Sequence, residues 1–378
     1  MNRRARTALA ASLVLAFSAG PLAVPAFAGA RPAAVAPDMA SGPDVAALEK
    51  ALEGLPDQVA TSAVVRVGGL GSWQGSAGVR NLRNGAEALE NGRFRAGSTT
   101  KVVTSALVLQ LAAEGRVSLD CTVQQYLPGL LTPDFAPVTV RQLLNFTSGL
   151  QAGRTFGDTV EEEFPHRFET LTPEEVVASS VAKGPAHAPG AQQVYGNIHY
   201  LVLAMLVERV TGDSYPHQAQ VRIFKPLGMR HTSFPSGPDP RLHGPHNRGY
   251  EEMEGRLVDV TEWNMSDRRG AGDMISTVAD LERLLVGLFR GRVVPQPQLQ
   301  EMFTIPGVPG ARMGAGLERF VVNGREVWGK TGARPGYHTV LAATRDLSRT
   351  VVYSVTATDA KNNGLGLAQR FAFPAFNR

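Results

Sequence analysis

The chain has 378 residues, 43% of them hydrophobic and 19% charged, enough for one large core or two ordinary ones. Its formal net charge is +4, but Arg3, Arg4 and Arg6 lie in a segment expected to be removed, which leaves about +1. That balance gives little support for a nucleic-acid partner, and the single cysteine, Cys121, excludes an intramolecular disulfide.

The removable segment runs from Met1 to about Ala28. Three arginines precede an apolar run, Ala8 to Phe17, and Ala26-Phe27-Ala28 offers small residues to a signal peptidase. The apolar run is too short for a membrane span. Ala5-Arg6-Thr7 lacks the apolar pair expected after a twin-arginine signal, so general secretion is favoured. No cysteine follows the run closely and no later segment reads as a membrane span, so the mature protein is expected to be secreted, soluble and without a stable membrane anchor. Residues 29–42, rich in Ala and Pro, read as a disordered leader.

From residue 43 the chain reads as ordered. Asp44 to Leu55 is helix-like, and two β-patterned runs follow, Ala63 to Val67 and Ser72 to Val79, with Gly68 to Gly71 as the turn between them. Lys101 to Glu114 reads as a helix stopped by Gly115. Cys121, beyond it, reads as a buried, inert thiol, with no cationic neighbour to activate it. Further helices are expected at Val140 to Phe146, Pro173 to Val181, Ile198 to Val210 and Val278 to Phe289, separated by long loops at Gly149 to Thr170 and Phe234 to Gly249. In the second of these, His243-Gly244-Pro245-His246 has a ligand-like spacing, but its Pro/Gly setting argues against zinc, and no metal is expected. β character returns at Phe320 to Val322, Glu326 to Lys330, Thr339 to Thr344 and Thr350 to Thr356, before a helix-like stretch, Leu365 to Phe373. Strands at both ends with helices between predict an α+β domain over 43–378. One antiparallel sheet would come from about 43–97 and 312–378, beside an inserted helical region of about 98–311.

Gly324 to Thr331 spells G-x-x-x-x-G-K-[ST], the phosphate loop of nucleotide hydrolases. Such a loop needs a helix directly after its Lys-Thr to aim backbone N–H groups at phosphate. Here Glu326-Val327-Trp328 reads as strand, and Pro335-Gly336 opposes helix growth, so the match is accidental.

Lys330-Thr331-Gly332 on a strand instead invites a search for Ser-x-x-Lys, which occurs twice. Ser98-Thr99-Thr100-Lys101 opens an apolar helix, where the i, i+3 spacing puts hydroxyl and amine on one face and the helix N-terminus favours an oxyanion. Taken alone, Ser98 reads more readily as a plain helix cap. Ser180-Val181-Ala182-Lys183 falls in the last turn of a helix, where the dipole disfavours an oxyanion and Lys183 serves as a cap. Only six of the 38 basic residues are Lys. A lysine can surrender its proton when desolvated and an arginine cannot, so a proton-handling role is favoured at Lys101. Val194-Tyr195-Gly196-Asn197 precedes the next helix, and Asn197 alone could be its cap.

Ser-x-x-Lys, Tyr-x-Asn and Lys-Thr-Gly in this order are together specific. The chain resembles the class C β-lactamase and secreted D-alanyl-D-alanine carboxypeptidase group of penicillin-recognising serine hydrolases. Further similar stretches are Phe94 to Ser98, Tyr126-Leu127-Pro128, Val138 to Leu144, Ser148-Gly149-Leu150, Arg222 to Met229, Ser276 to Leu281 and Gly336-Tyr337, so the likeness spans nearly all of the chain from Asp44. The resemblance implies that Ser98 is acylated, that Lys101 polarises it, and that Tyr195, flanked by Lys101 and Lys330, acts as general base and then acid. It also implies an oxyanion hole from the N–H groups of Ser98 and Ala333. Asn197 would bind the substrate amide, while Lys330, Thr331 and Gly332 would line the carboxylate end. An additional basic residue completes carboxylate binding in some members. The candidate here is Arg319, with Glu318 beside it, and the sequence leaves open which of the two faces the site. The expected activity is carboxypeptidase action on peptidoglycan stem peptides. A β-lactamase or small-ester hydrolase is the alternative, and an inactive ligand-binding relative a third. The expected partners are a small peptide, β-lactam or ester substrate, with no cofactor, and the expected state is a monomer.

Overall fold

The computed structural model describes residues 42–377 except residue 236. Its frame is a seven-stranded antiparallel sheet. Strands β1 (Ala60–Gly69), β2 (Trp73–Asn81) and β3 (Ala86–Glu87) come from the N-terminal part. Next come the short strands β4 (Phe94–Arg95), β5 (Tyr250–Met253), β6 (Arg256–Asp259) and β7 (Ile275–Ser276), and then β8 (Glu318–Val322), β9 (Arg325–Arg334), β10 (Tyr337–Ala343) and β11 (Arg349–Ala357). The sheet order is β3-β2-β1-β11-β10-β9-β8, so the two chain ends meet where β1 pairs with β11, Val65 opposite Tyr353. This is the expected sheet.

Strand periodicity divides the apolar residues between two cores. Val64, Leu341, Ala343 and Val352 face the helical region and join the larger core. Val65, Val340, Val351 and Tyr353 face the other way. There the helix Val45–Leu52 and the helical segment 364–375 cover the sheet through Leu48 and Phe371, with Phe376 just beyond. The helix Thr100–Ala113 is buried almost all round, from Thr100 to Leu109, which explains why it carries little polar sequence. It packs against the helix Asn197–Thr211 at the centre of the helical region.

The long loop expectation needs one addition. Immediately beyond Phe234 to Gly249 the chain makes the β5–β6 hairpin, with Tyr250 opposite Asp259. Its residue Met253, with Val260, Trp263 and Met265 just beyond it, forms a third small core with Val160 of the helix Val160–Glu163. The Gly149 to Thr170 loop is thereby pinned to the region of the β5–β6 hairpin rather than left free. The expected signal peptide lies outside the described residues, as does the leader apart from Gly42.

Candidate active site

Nucleophile placement begins with two glycines. Phe94 pairs with Ser276, and the chain then turns at Gly97, whose φ of +54° suits glycine. A short 3₁₀ turn, Gly97–Thr99, leads into the helix Thr100–Ala113. A Cβ on Gly97 would stand 2.7 Å from the Ala333 nitrogen, and one on Gly332 would stand 2.1 Å from the Ala96 oxygen. Only glycines at both positions let the turn lie flat on β9, which brings the backbones of Ser98 and Ala333 side by side. Ser98 is not the helix cap. That position falls to Thr99, without a side-chain cap bond, and the Ser98 hydroxyl is engaged elsewhere.

Lys101 Nζ donates to Ser98 Oγ at 3.2 Å, to Asn197 Oδ1 at 2.7 Å and to the Ala271 carbonyl at 2.7 Å. Its three hydrogens are thus all used. The side chain is wholly buried, and that burial, reinforced by the nearby Lys330 charge, lowers its pKa to about 8. The Tyr195 hydroxyl lies 2.7 Å from Ser98 Oγ. Its ring sits between two ammonium groups, with Lys101 Nζ 4.9 Å and Lys330 Nζ 4.8 Å from the centroid. Burial pushes the phenol up, but the charges of Lys101 and Lys330 outweigh it and bring Tyr195 down to about 8. Phe146, 5.0 Å away ring to ring, holds the tyrosine from behind. Lys330 and Thr331 are on β9 as read from the sequence, Lys330 buried and donating to the Thr331 carbonyl at 3.2 Å. No helix follows them, since β9 turns directly into β10 through Gly336 at φ +74°. That strand geometry excludes the phosphate-loop reading.

The remaining candidates separate clearly. Asn197 occupies the first helical turn, with Gly196 at the cap position, and spends its side-chain oxygen on Lys101 rather than on capping. On β8 the two alternatives take different places: Glu318 is buried and pairs with Arg312 at 3.3 Å, whereas Arg319 is exposed. Ser180 and Lys183 point to different carbonyls, those of Gln151 at 2.5 Å and Ala152 at 2.8 Å, so the second Ser-x-x-Lys makes no pair. Cys121 is half-buried rather than buried. His243 Nε2 lies 2.6 Å from Asp239, and His246 Nδ1 lies 2.8 Å from the Gly244 carbonyl, so the two histidines engage separate partners. The sequence reading missed the carbonyl of Ala271 as the third fixture of Lys101. The small-residue run Gly270-Ala271-Gly272 was the signal available for a close-packed turn there.

A serine hydroxyl that contacts both a buried amine and a phenol poised near neutrality can lose its proton as it attacks a carbonyl. Residues 48–370 match the Beta-lactamase family. PbpX of Bacillus subtilis (strain 168), a protein named for penicillin binding, is 27% identical over 249 residues, which is 65% of this chain and 57% of that protein. The chain therefore spans about half the length of that curated relative. Among solved structures, a D-stereospecific amidohydrolase from Streptomyces sp. superposes with a TM-score of 0.76 at 32% identity, over 87% of this chain and 99% of that one. A D-amino acid amidase from Ochrobactrum anthropi SV3 shares the fold at a TM-score of 0.73 and 24% identity, over 86% and 96%. With its central sheet, its paired glycines under the serine and a family match over most of its length, this chain belongs to the Beta-lactamase family of serine hydrolases.

Proposed function

We propose that this protein is a secreted serine hydrolase that cleaves amide bonds on the carbonyl side of a D-configured residue through an acyl-enzyme on Ser98. The observation that carries the reading is Ser98 Oγ held between the Tyr195 hydroxyl and Lys101 Nζ, with Tyr195 flanked by two cations. In the proposed cycle the Tyr195 phenolate takes the Ser98 proton while Oγ adds to the substrate carbonyl. Backbone N–H groups of Ser98 and Ala333 receive the oxyanion. Tyr195 then returns the proton to the leaving nitrogen as the C–N bond breaks. Water attacks the resulting ester, its proton passing to Tyr195 and the acid product departing as Ser98 is reprotonated. Asn197 and Lys101 hold the geometry, and Lys330 with Thr331 line the leaving-group side. The D-configuration is supported by the 32% likeness to the Streptomyces amidohydrolase along almost its whole length. Secretion is supported by the arginine-led apolar segment before Ala28.

The test supplies D- and L-alaninamide, a D-alanyl-D-alanine peptide, a penicillin and a short-chain ester, reading both turnover and the intact mass of the protein. Equal rates on the D- and L-amides would defeat the stereochemical assignment, and an unlabelled Ser98 after penicillin would defeat the mechanism. A second reading, D-alanyl-D-alanine carboxypeptidase, draws on Lys330 and Thr331 at the leaving-group side and on Arg319 exposed on the neighbouring strand. A charged hydrogen bond to a terminal carboxylate contributes on the order of 1.5–3 kcal/mol. Arg319→Ala should then cost roughly 10- to 150-fold on that peptide and nothing on the uncharged ester. Equal effects on both substrates would remove this second reading.

A further inference from the structure

Beyond the nucleophile, β9 ends in Arg334, a residue that neither the motifs nor the mechanism uses. It is 7% exposed and sits two residues past Gly332, on the sheet face that Lys330 shares. Its Nε and Nη2 are sealed from solvent without a hydrogen-bond partner, whereas Nη1 is neither sealed nor hydrogen-bonded among the described residues. The acidic groups nearby do not claim it. Arg268 takes both Asp267, at 2.6 Å, and Glu163, at 3.4 Å, as ion pairs. Arg334 is left with these charges and that of Asp273 only at a distance, the other Asp267 oxygen staying buried and unpartnered, and burial together with the adjacent Arg268 lowers its pKa. A buried guanidinium with unspent donors is costly unless something completes it.

Strand direction says what arrives there. The carbonyl to be attacked must lie beside the Ser98 and Ala333 amides, with the leaving group toward Lys330 and Thr331. Lys330 and Arg334 are four residues apart, about 13 Å along an extended strand. The rest of the acyl group therefore runs past the nucleophile toward Arg334. The wall on that side is the Glu163–Arg268 pair, backed by the packing of Val160 against the β5–β6 hairpin.

We propose that Arg334 is a specificity-determining residue whose outward Nη1 donates to the carbonyl oxygen of a substituent on the acyl residue's nitrogen, so that this site prefers N-acylated D-residues to free-amino ones. The proposal rests on the acyl-enzyme reading of the same site. An α-ammonium at that point would bring only donors, and a further positive charge, to a guanidinium that already lies beside Arg268. A neutral carbonyl supplies the missing acceptor.

Two substrate pairs test it. The first is N-acetyl-D-alaninamide against D-alaninamide, read as kcat/KM. The second is acylation of Ser98 by a penicillin bearing a side-chain amide against 6-aminopenicillanic acid, read by intact mass over time. The wild-type protein should favour the acylated member of each pair. Arg334→Met should lower each ratio roughly 10- to 100-fold, and Arg334→Lys, which keeps a donor, should retain part of it. Thermal melting, with the burst from a p-nitrophenyl ester to count competent Ser98, separates misfolding from lost recognition. Equal loss on both members of a pair, no loss on either, or a wild-type preference for the free amine would overturn the role of Arg334. If neither amide turns over while both penicillins acylate Ser98, the amide-cleaving function fails and the penicillin ratio alone decides Arg334.

Discussion

Lys101, with its three ammonium hydrogens spent on Ser98, Asn197 and Ala271, is fixed in place, and while protonated it contributes a positive charge to the field felt by Tyr195. Both groups are brought to about 8, the lysine by burial and the phenol by the two cations against burial. Groups this close titrate as a coupled set. At pH 7 roughly a tenth of the protein then holds a deprotonated base, so kcat/KM should climb about tenfold between pH 6 and 7, reach half its limit near pH 8 and level off above it. Lys330→Gln removes one of the two cations, which should raise the Tyr195 pKa and move that limb upward by about one unit. A pH–rate profile of the variant that superposes on the wild type would mean Tyr195 is not the titrating base. Ser98→Ala should abolish turnover and labelling by a penicillin, whereas Ser180→Ala should leave both nearly intact, because Ser180 is bonded to the Gln151 carbonyl.

At the scale of elements, the contact between the Gly97–Thr99 turn and β9 decides whether Ser98 and Ala333 come together. Gly332→Ala places a methyl 2.1 Å from the Ala96 oxygen, with backbone on both sides and no flexible side chain to yield. The strand must then part from the turn. The expected cost is about 1–3 kcal/mol in urea unfolding, with loss of acylation by a larger factor than stability alone explains. Unchanged acylation kinetics would show that the two amides need not be adjacent. Much of this was legible in the sequence. Pro173–Val181 and Val278–Phe289 end where their caps and breakers said they would, and the sheet from both chain ends followed from where β-branched runs cluster. The elements missed were short. β4 and β7 are two residues each, and their pairing of Phe94 with Ser276 joins positions with no periodicity to reveal them. The same holds within the site. Ser98, Lys101, Tyr195 and Lys330 carry spaced motifs, but the carbonyl of Ala271 is backbone and leaves no side-chain signature. The different burial of Glu318 and Arg319 depends on the register of β8 against β9, which a five-residue edge strand does not announce.

Across the whole molecule, buried ionisable groups outside the catalytic set influence the pH range in which the fold survives. Glu251, on β5, is 5% exposed and accepts from the Gly336 backbone N–H at 2.5 Å, beside the β9–β10 turn. Burial raises its pKa from 4.5 to about 8, so the folded protein holds a proton there that the unfolded chain gives up. The stabilisation from that proton is complete below pH 4.5 and is lost as pH rises toward 8, at a slope of about 1.4 kcal/mol per unit. His199 works in the opposite sense. Burial lowers it to about 4, so stability is lost as pH falls from 6.5 toward 4. Activity is expected to rise toward pH 8 with the Tyr195 pair, into the range where Glu251 ionises, so catalysis and stability pull against each other. Glu251→Gln separates them, because a neutral amide can still accept from Gly336 and does not charge. Urea unfolding of wild type and variant at pH 5.5 and 7.5 should show the variant gaining about 2–3 kcal/mol relative to wild type across that interval. If the difference between the two proteins is the same at both pH values, Glu251 is ionised in the folded state and the alkaline loss has another source.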